Sequence, residues 1–264
     1  MAGRVSSPAP AATAQDGPAE TRSSRSSQAA TTAGGDDNRK SSRPARPERV
    51  QAMTTEDRLV KLESIMRGEN ALDRNRALLA FIDQLAPGDF EEAVAHFREL
   101  GMTDERMGEY SLLLTAWAGA DPITALTYAK ENTREGFATD TILSSWAAAD
   151  PESAINWAKA NFDGDGANPY LTGIIRGIAE SNPARATELL ASMPRSEERG
   201  KGLEALLPHL LQQGADATKA WIAALTDPSL KDGAIMRSAD KLAETDPAGT
   251  AAWLLATPGQ GAQR

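Results

Sequence analysis

The sequence predicts an all-α protein, an α-solenoid of about six helix-turn-helix repeats with a period of about 32 residues, behind a disordered amino-terminal segment. Three observations carry this expectation. One segment recurs along the chain with Asp-Pro, or a relative of it, at a fixed place. All five Trp residues fall in two slots of that segment. And residues 1–50 contain no Leu, Ile, Phe, Tyr or Trp.

The amino-terminal stretch holds eight Ser and five Pro, with only Met1, Val5 and Val50 as larger aliphatic side chains. It cannot bury enough apolar surface to offset a backbone ordering cost of about 1–2 kcal/mol per residue. The expected division is a disordered Ser/Pro/Arg-rich tail over 1–52 and a helical repeat domain over 53–264. Charge divides the same way. Residues 1–50 carry eight Arg or Lys against five Asp or Glu, which leaves −12 of the net −9 on the remainder. An acidic body repels phosphate backbones, so no nucleic acid is expected on the folded part. The basic run Arg39, Lys40, Arg43, Arg46 and Arg49 lies among Pro and Ser and reads as a solvated linker.

No stretch approaches the roughly 20 apolar residues of a membrane-spanning helix. The start, MAGRVSSPAP, has no apolar core of a secretory signal, so the default expectation is the cytoplasm, or the cell envelope if the true start lies upstream. Zero Cys excludes a disulfide framework, a thiolate metal site and a cysteine nucleophile.

The repeat aligns on Asp89, Asp121, Asp150, Asn182, Gly214 and Asp246, at spacings of 32, 29, 32, 32 and 32. Four residues before the anchor stand Leu85, Trp117, Trp146, Ile178, Leu210 and Leu242. Seven before it stand Ile82, Leu114, Leu143, Ile175, Leu207 and Ala239. Four after it come Ala93, Ala125, Ala154, Ala186, Thr218 and Thr250, all small. Seven after it come His96, Tyr128, Trp157, Leu189, Trp221 and Trp253.

Each unit therefore reads as two helices. Large residues at −7 and −4 share one helical face, as do +4, +7 and +8 on the next helix. Asp or Asn as N-cap accepts a hydrogen bond from an otherwise unpaired amide, worth about 0.5–2 kcal/mol relative to Ala. Pro122, Pro151, Pro183 and Pro247 follow it at the first helical position, where the missing N–H costs nothing. The same proline ends the preceding helix. The small +4 residue lets the second helix approach the first. Ahead of the first unit, Thr54 to Met66 forms an amphipathic capping helix, with Thr54 and Asp57 as a capping box. At the other end, the helix around Trp253, Leu254 and Leu255 runs into TPGQGAQR without a polar cap, so a partner, a second copy or further chain is expected to cover it.

The motif W-A-x-x-D-P-x-x-A-x-x-W-A, seen at Trp146 to Ala158, resembles the uncharacterised Asp-Pro helical repeats of planctomycete and verrucomicrobial bacteria. The resemblance covers about residues 75–257. It implies a bacterial helical-repeat protein, often exported in that group, and attaches no catalytic motif. The build is also similar to tetratricopeptide repeats, with a different period and with Pro opening the second helix.

Candidate chemistry is sparse. His96 occupies a packing slot, and His209 lies three units or more away beside Pro208. Asp163 and Asp165 alternate as a calcium loop would begin, but Ala167 stands fifth, Asn168 sixth where Gly is required, and Ile174 twelfth where Glu is required. Glu91-Glu92 and Glu197-Glu198 are sequence neighbours and point apart on a helix. No nucleotide-binding or hydrolase motif is present. The sequence assigns no catalytic, cofactor-binding or metal-ligating residue and no cofactor. The expected function is a non-catalytic protein–protein interaction scaffold for a protein or peptide, a basic one given the acidic body, with self-association through the uncapped last repeat. The expected lining is the outward face of the second helices, such as Glu152, Ser153, Asn156, Arg185 and Glu188. The alternative is a regulatory or substrate-presenting region of an enzyme whose catalytic part lies elsewhere.

Overall fold

A computed structural model describes residues 53–134 and 136–257. The chain divides into two units, Met1–Val50 and Gln51–Arg264, and every described residue lies in the second. The expected disordered tail over 1–52 lies outside the described residues. Among the described residues there are thirteen α-helices and no strand. They are α1 (Thr55–Met66), α2 (Ala71–Ile82), α3 (Phe90–Glu99), α4 (Met107–Ala120), α5 (Pro122–Asn132), α6 (Phe137–Ala149), α7 (Pro151–Ala160), α8 (Tyr170–Ile178), α9 (Pro183–Ser192), α10 (Glu197–Gln212), α11 (Ala215–Ala224), α12 (Pro228–Thr245) and α13 (Pro247–Ala256). None is long and apolar enough to cross a membrane.

The anchors act through local chemistry. Asp121, Asp150, Asn182 and Asp246 each accept a hydrogen bond from the amide three residues on, at 3.1, 3.1, 3.0 and 2.9 Å. Each is followed by Pro at the first helical position. Asp227-Pro228 uses the same device to open α12, its carboxylate accepting from the Leu230 amide at 2.7 Å. Thr54 and Asp57 form the expected reciprocal capping box on α1.

Two anchors differ. Gly214 sits at φ +111°, a backbone setting that favours glycine, and offers no side-chain cap. Asp89 ends a single 3-10 turn, Pro87–Asp89, and makes no cap to α3. Pro87 has drawn the turn back by two residues. The Asp89 carboxylate accepts instead from the Ala86 amide at 2.9 Å and pairs with Arg58 of α1 at 2.7 Å.

The slots around the anchors behave as packing positions. All six small +4 residues are buried, Thr218 and Thr250 included. Thr218 satisfies its hydroxyl on the carbonyls of Leu210 and Gly214, both at 3.0 Å. The −4 and +7 aromatics meet within a unit, with Trp117 and Tyr128 rings 5.3 Å apart and Trp146 and Trp157 rings 6.5 Å apart.

First helices pack directly on first helices, α2 on α4, α4 on α6, α6 on α8, α8 on α10 and α10 on α12. Second helices are joined through long side chains. Arg98 lies 5.9 Å above the Tyr128 ring, and Lys130 lies 5.7 Å above the Trp157 ring. Trp221 donates to the Thr187 hydroxyl at 2.9 Å. Arg98 and Lys130 both stand nine residues after their anchors, a recurrence that apolar periodicity does not reveal.

A second hidden recurrence stands fifteen residues before the anchor, where Arg74, Arg106, Arg199 and Lys231 fall. Arg74 is 6% exposed, donates to the Gly68 carbonyl at 2.7 Å and pairs with Glu109 of α4 at 2.7 Å. Arg199 is 5% exposed, donates to the Met193 carbonyl at 3.3 Å, and reaches Asp227 and the Ser229 hydroxyl in the next unit. Both arginines hold the carbonyl six residues before them and an acid of the following unit. They tie each turn to its successor.

Candidate functional site

The crossing of α6 and α8 brings two helix backbones into close approach. Gly173 and Gly177 lie one turn apart on α8, against α6. A Cβ on Gly177 would sit 2.2 Å from the Ser144 carbonyl oxygen, and one on Gly173 would sit 2.8 Å from that of Asp140. Only glycine permits this approach. Residues of α4, α6 and α8 then line an open groove of about 540 Å³. Ser111, Thr115, Thr141, Ser144, Ser145 and Gly177 give it a shallow floor of small side chains, with Phe137 and Arg176 at its margins. The Ser145 hydroxyl donates to the Thr115 carbonyl at 3.3 Å and ties α6 to α4.

Asp140 sits beside this crossing, with its carboxylate 3.9 Å from Arg176. Burial pushes its pKa above the usual carboxylate value, against the opposing pull of Arg176 and Lys201. The Asp121 and Asp150 caps shift the other way. Hydrogen bonds from Thr124 and Ser153 hold them below the usual range.

The expected second-helix lining lies elsewhere. Arg185 forms two 3.0 Å hydrogen bonds to Glu152 across α9 and α7 and one of 2.7 Å to Glu188. Ser153 caps onto Asp150 through its amide, and Asn156 is exposed. Arg185 clasps α9 to α7, and none of these residues lines the groove. The groove is faintly visible in the sequence, since the position five before the anchor is Ser145 and then Gly177, both of which line it. Small outward residues carry no apolar period, so pattern reading passes over them.

The structure does not gather the remaining candidates. His96 is half-buried on α3, with Nδ1 3.7 Å from Glu99, and His209 lies on α10. Asn168 donates to the Ala158 carbonyl at 2.9 Å and accepts from the Tyr170 amide at 3.0 Å, so it opens α8, while Asp163 and Asp165 are exposed. Among the described residues no group of three His, Asp or Glu stands close enough to hold a metal ion. Comparison with protein-family models, with curated proteins and with solved structures finds no match to this chain.

Proposed function

We propose that residues 53–257 form an α-solenoid of six helix pairs, and that this array is a non-catalytic scaffold holding a protein or peptide along the first-helix groove. The observation that carries the reading is the floor of small side chains running across α4, α6 and α8. Such a floor lets a partner's backbone or a helix come close, while Arg176 supplies a charged contact. Direct packing of α4, α6 and α8 on one another supports a continuous binding surface in this reading. The net charge of −12 beyond residue 50 favours a basic partner.

Self-association through the last unit belongs to the same proposal. The +8 slot is buried at Phe97, Ala129, Ala158, Leu190 and Ile222, where the following unit's first helix covers it, and 37% exposed at Leu254. The likeness of Trp146–Ala158 to bacterial Asp-Pro repeats is consistent with this reading and adds no activity to it.

The test places a photo-crosslinking residue at Ser145 in the groove and, separately, at Asn156 on α7 in the full-length protein, in extracts of the native cells. One discrete adduct from Ser145, lost with Thr141→Arg, is expected. Adducts from Asn156 alone would move binding to the second helices. None from either position would overturn the scaffold reading.

A further inference from the structure

We propose that the pocket between the α3–α4 and α5–α6 turns binds a phosphate group, free or as a monoester. This pocket, about 510 Å³, is separate from the scaffold reading although Phe137 lines both cavities. Arg98 and Arg134 line it, with Tyr110, Met107 and Asp104. Arg98 is already oriented. It donates to the Tyr128 hydroxyl at 3.1 Å and to the Asn132 carbonyl, which leaves three of its five N–H donors. Arg134 is exposed and has no partner among the described residues.

Helix α6, thirteen residues long, presents its amino end to the same pocket through Phe137 and Ala138. Among the described residues no side chain caps that end. Its first amides have no partner within the helix and carry the positive end of the helix dipole, the arrangement that receives phosphate oxygens.

An independent observation points to a ligand. Tyr110 lines the pocket, is 3% exposed, and its buried hydroxyl has no hydrogen-bond partner. Its ring is fixed between Phe97 and Phe137, with centroids at 5.4 and 6.1 Å, so the hydroxyl cannot turn out to water without breaking the stack. Burial raises its pKa, which keeps it a donor at neutral pH. Two guanidiniums, a helix amino end and a phenol are donors in excess of what one carboxylate accepts, and they suit a group with three acceptor oxygens. Asp104 on the rim accepts only from a protonated oxygen. Inorganic phosphate carries one at neutral pH, whereas sulfate carries none and a monoester is largely doubly ionised, so Asp104 ranks the free ion first.

The experiment is calorimetric titration of the full-length protein at pH 7 and constant ionic strength, with inorganic phosphate, phosphoserine, sulfate and chloride as the probes. Saturable one-site binding of phosphate or phosphoserine, tighter than sulfate, is expected, and the tighter of the two identifies the source. Arg134→Gln weakens binding by about tenfold, as loss of a charge-assisted bond predicts. Tyr110→Phe weakens it several-fold and leaves the ligand-free melting temperature unchanged or raised, because the lost hydroxyl had no partner. Equal heats from chloride, or from sulfate, overturn the proposal. So does binding by both variants that matches the parent, or the absence of saturation at tens of millimolar phosphate.

Discussion

At the crossing of α6 and α8, Gly177 lies so close to the Ser144 backbone that a Cβ would meet the carbonyl oxygen at 2.2 Å. At the crossing of α10 and α12, Gly233 would place its Cβ 3.5 Å from the end of the Leu203 side chain, an ordinary contact. The same pair of elements recurs, yet one glycine is demanded by a neighbouring backbone and the other is not. The α6–α8 crossing is jointed on backbone approach. The α10–α12 crossing is jointed on side chains, and α13 beyond it is more open, with Leu255 88% exposed and Thr250 as its sole buried residue. A position in the repeat does not fix its own importance; the neighbour that covers it does.

The sharpest way to break this comparison is a pair of substitutions. Gly177→Val should destabilise by about 3 kcal/mol or more, since backbone cannot move aside as a side-chain end can. Gly233→Ala should be neutral or stabilise by roughly 0.5–1 kcal/mol, through helix propensity alone. Urea denaturation of both variants measures the difference. Similar losses in the two would show that both crossings are equally tight.

A smaller contrast lies at the side chains the units cover. Ile178 on α8 is 1% exposed, and truncation to Ala should cost about 2–5 kcal/mol from lost transfer and the cavity left. Leu254→Ala, at a side chain 37% exposed, should cost about 1 kcal/mol or less. A large loss at Leu254 that depends on protein concentration would place that face in an assembly interface.

The caps come next in size, and they are also the part of the fold most legible in the sequence. Asn182→Ala should cost about 0.5–2 kcal/mol by thermal melting, because its hydrogen bond to the Arg185 amide is lost. Asp150-Pro151 and Asn182-Pro183 could be read because the capping chemistry is complete within four residues. The small +4 slot could be read because Ala and Thr alternate with aromatics at a fixed distance.

Asp89 could not be read the same way. Its partner, Arg58, is 31 residues away, and Pro87 had already shifted the turn. Arg74 and Arg199 were hidden for a different reason. A charged residue reads as solvated surface until the carbonyls of Gly68 and Met193 are seen to hold it inside. The groove escaped notice because Ser, Thr and Gly produce no apolar signal, and the phosphate pocket because Tyr110, Arg98 and Arg134 meet only when two turns stack.

The smallest effect carries the most specific sign. Close approach of α8 buries Asp140, so its folded pKa is raised, and folding then favours the protonated acid. The penalty is absent while the carboxyl is protonated in both states, below the ordinary value of 3.8, and grows as pH rises from there through the folded pKa. Asp140→Asn cannot ionise, so its melting temperature should exceed the parent's at neutral pH, and the gap should close on acidification. The caps run in the opposite sense. Asp121 has a lowered pKa, and its stabilisation is present above 3.8 and lost as pH falls through the folded value. Asp121→Asn retains a capping oxygen and should flatten that acid-side loss without gaining at neutral pH. Two carboxylates within 20 residues of one another thus titrate with opposite consequences, one set by a local cap and the other by how closely the next unit packs. An Asp140→Asn variant that melted below the parent at neutral pH would mean that its pairing with Arg176 outweighs its burial.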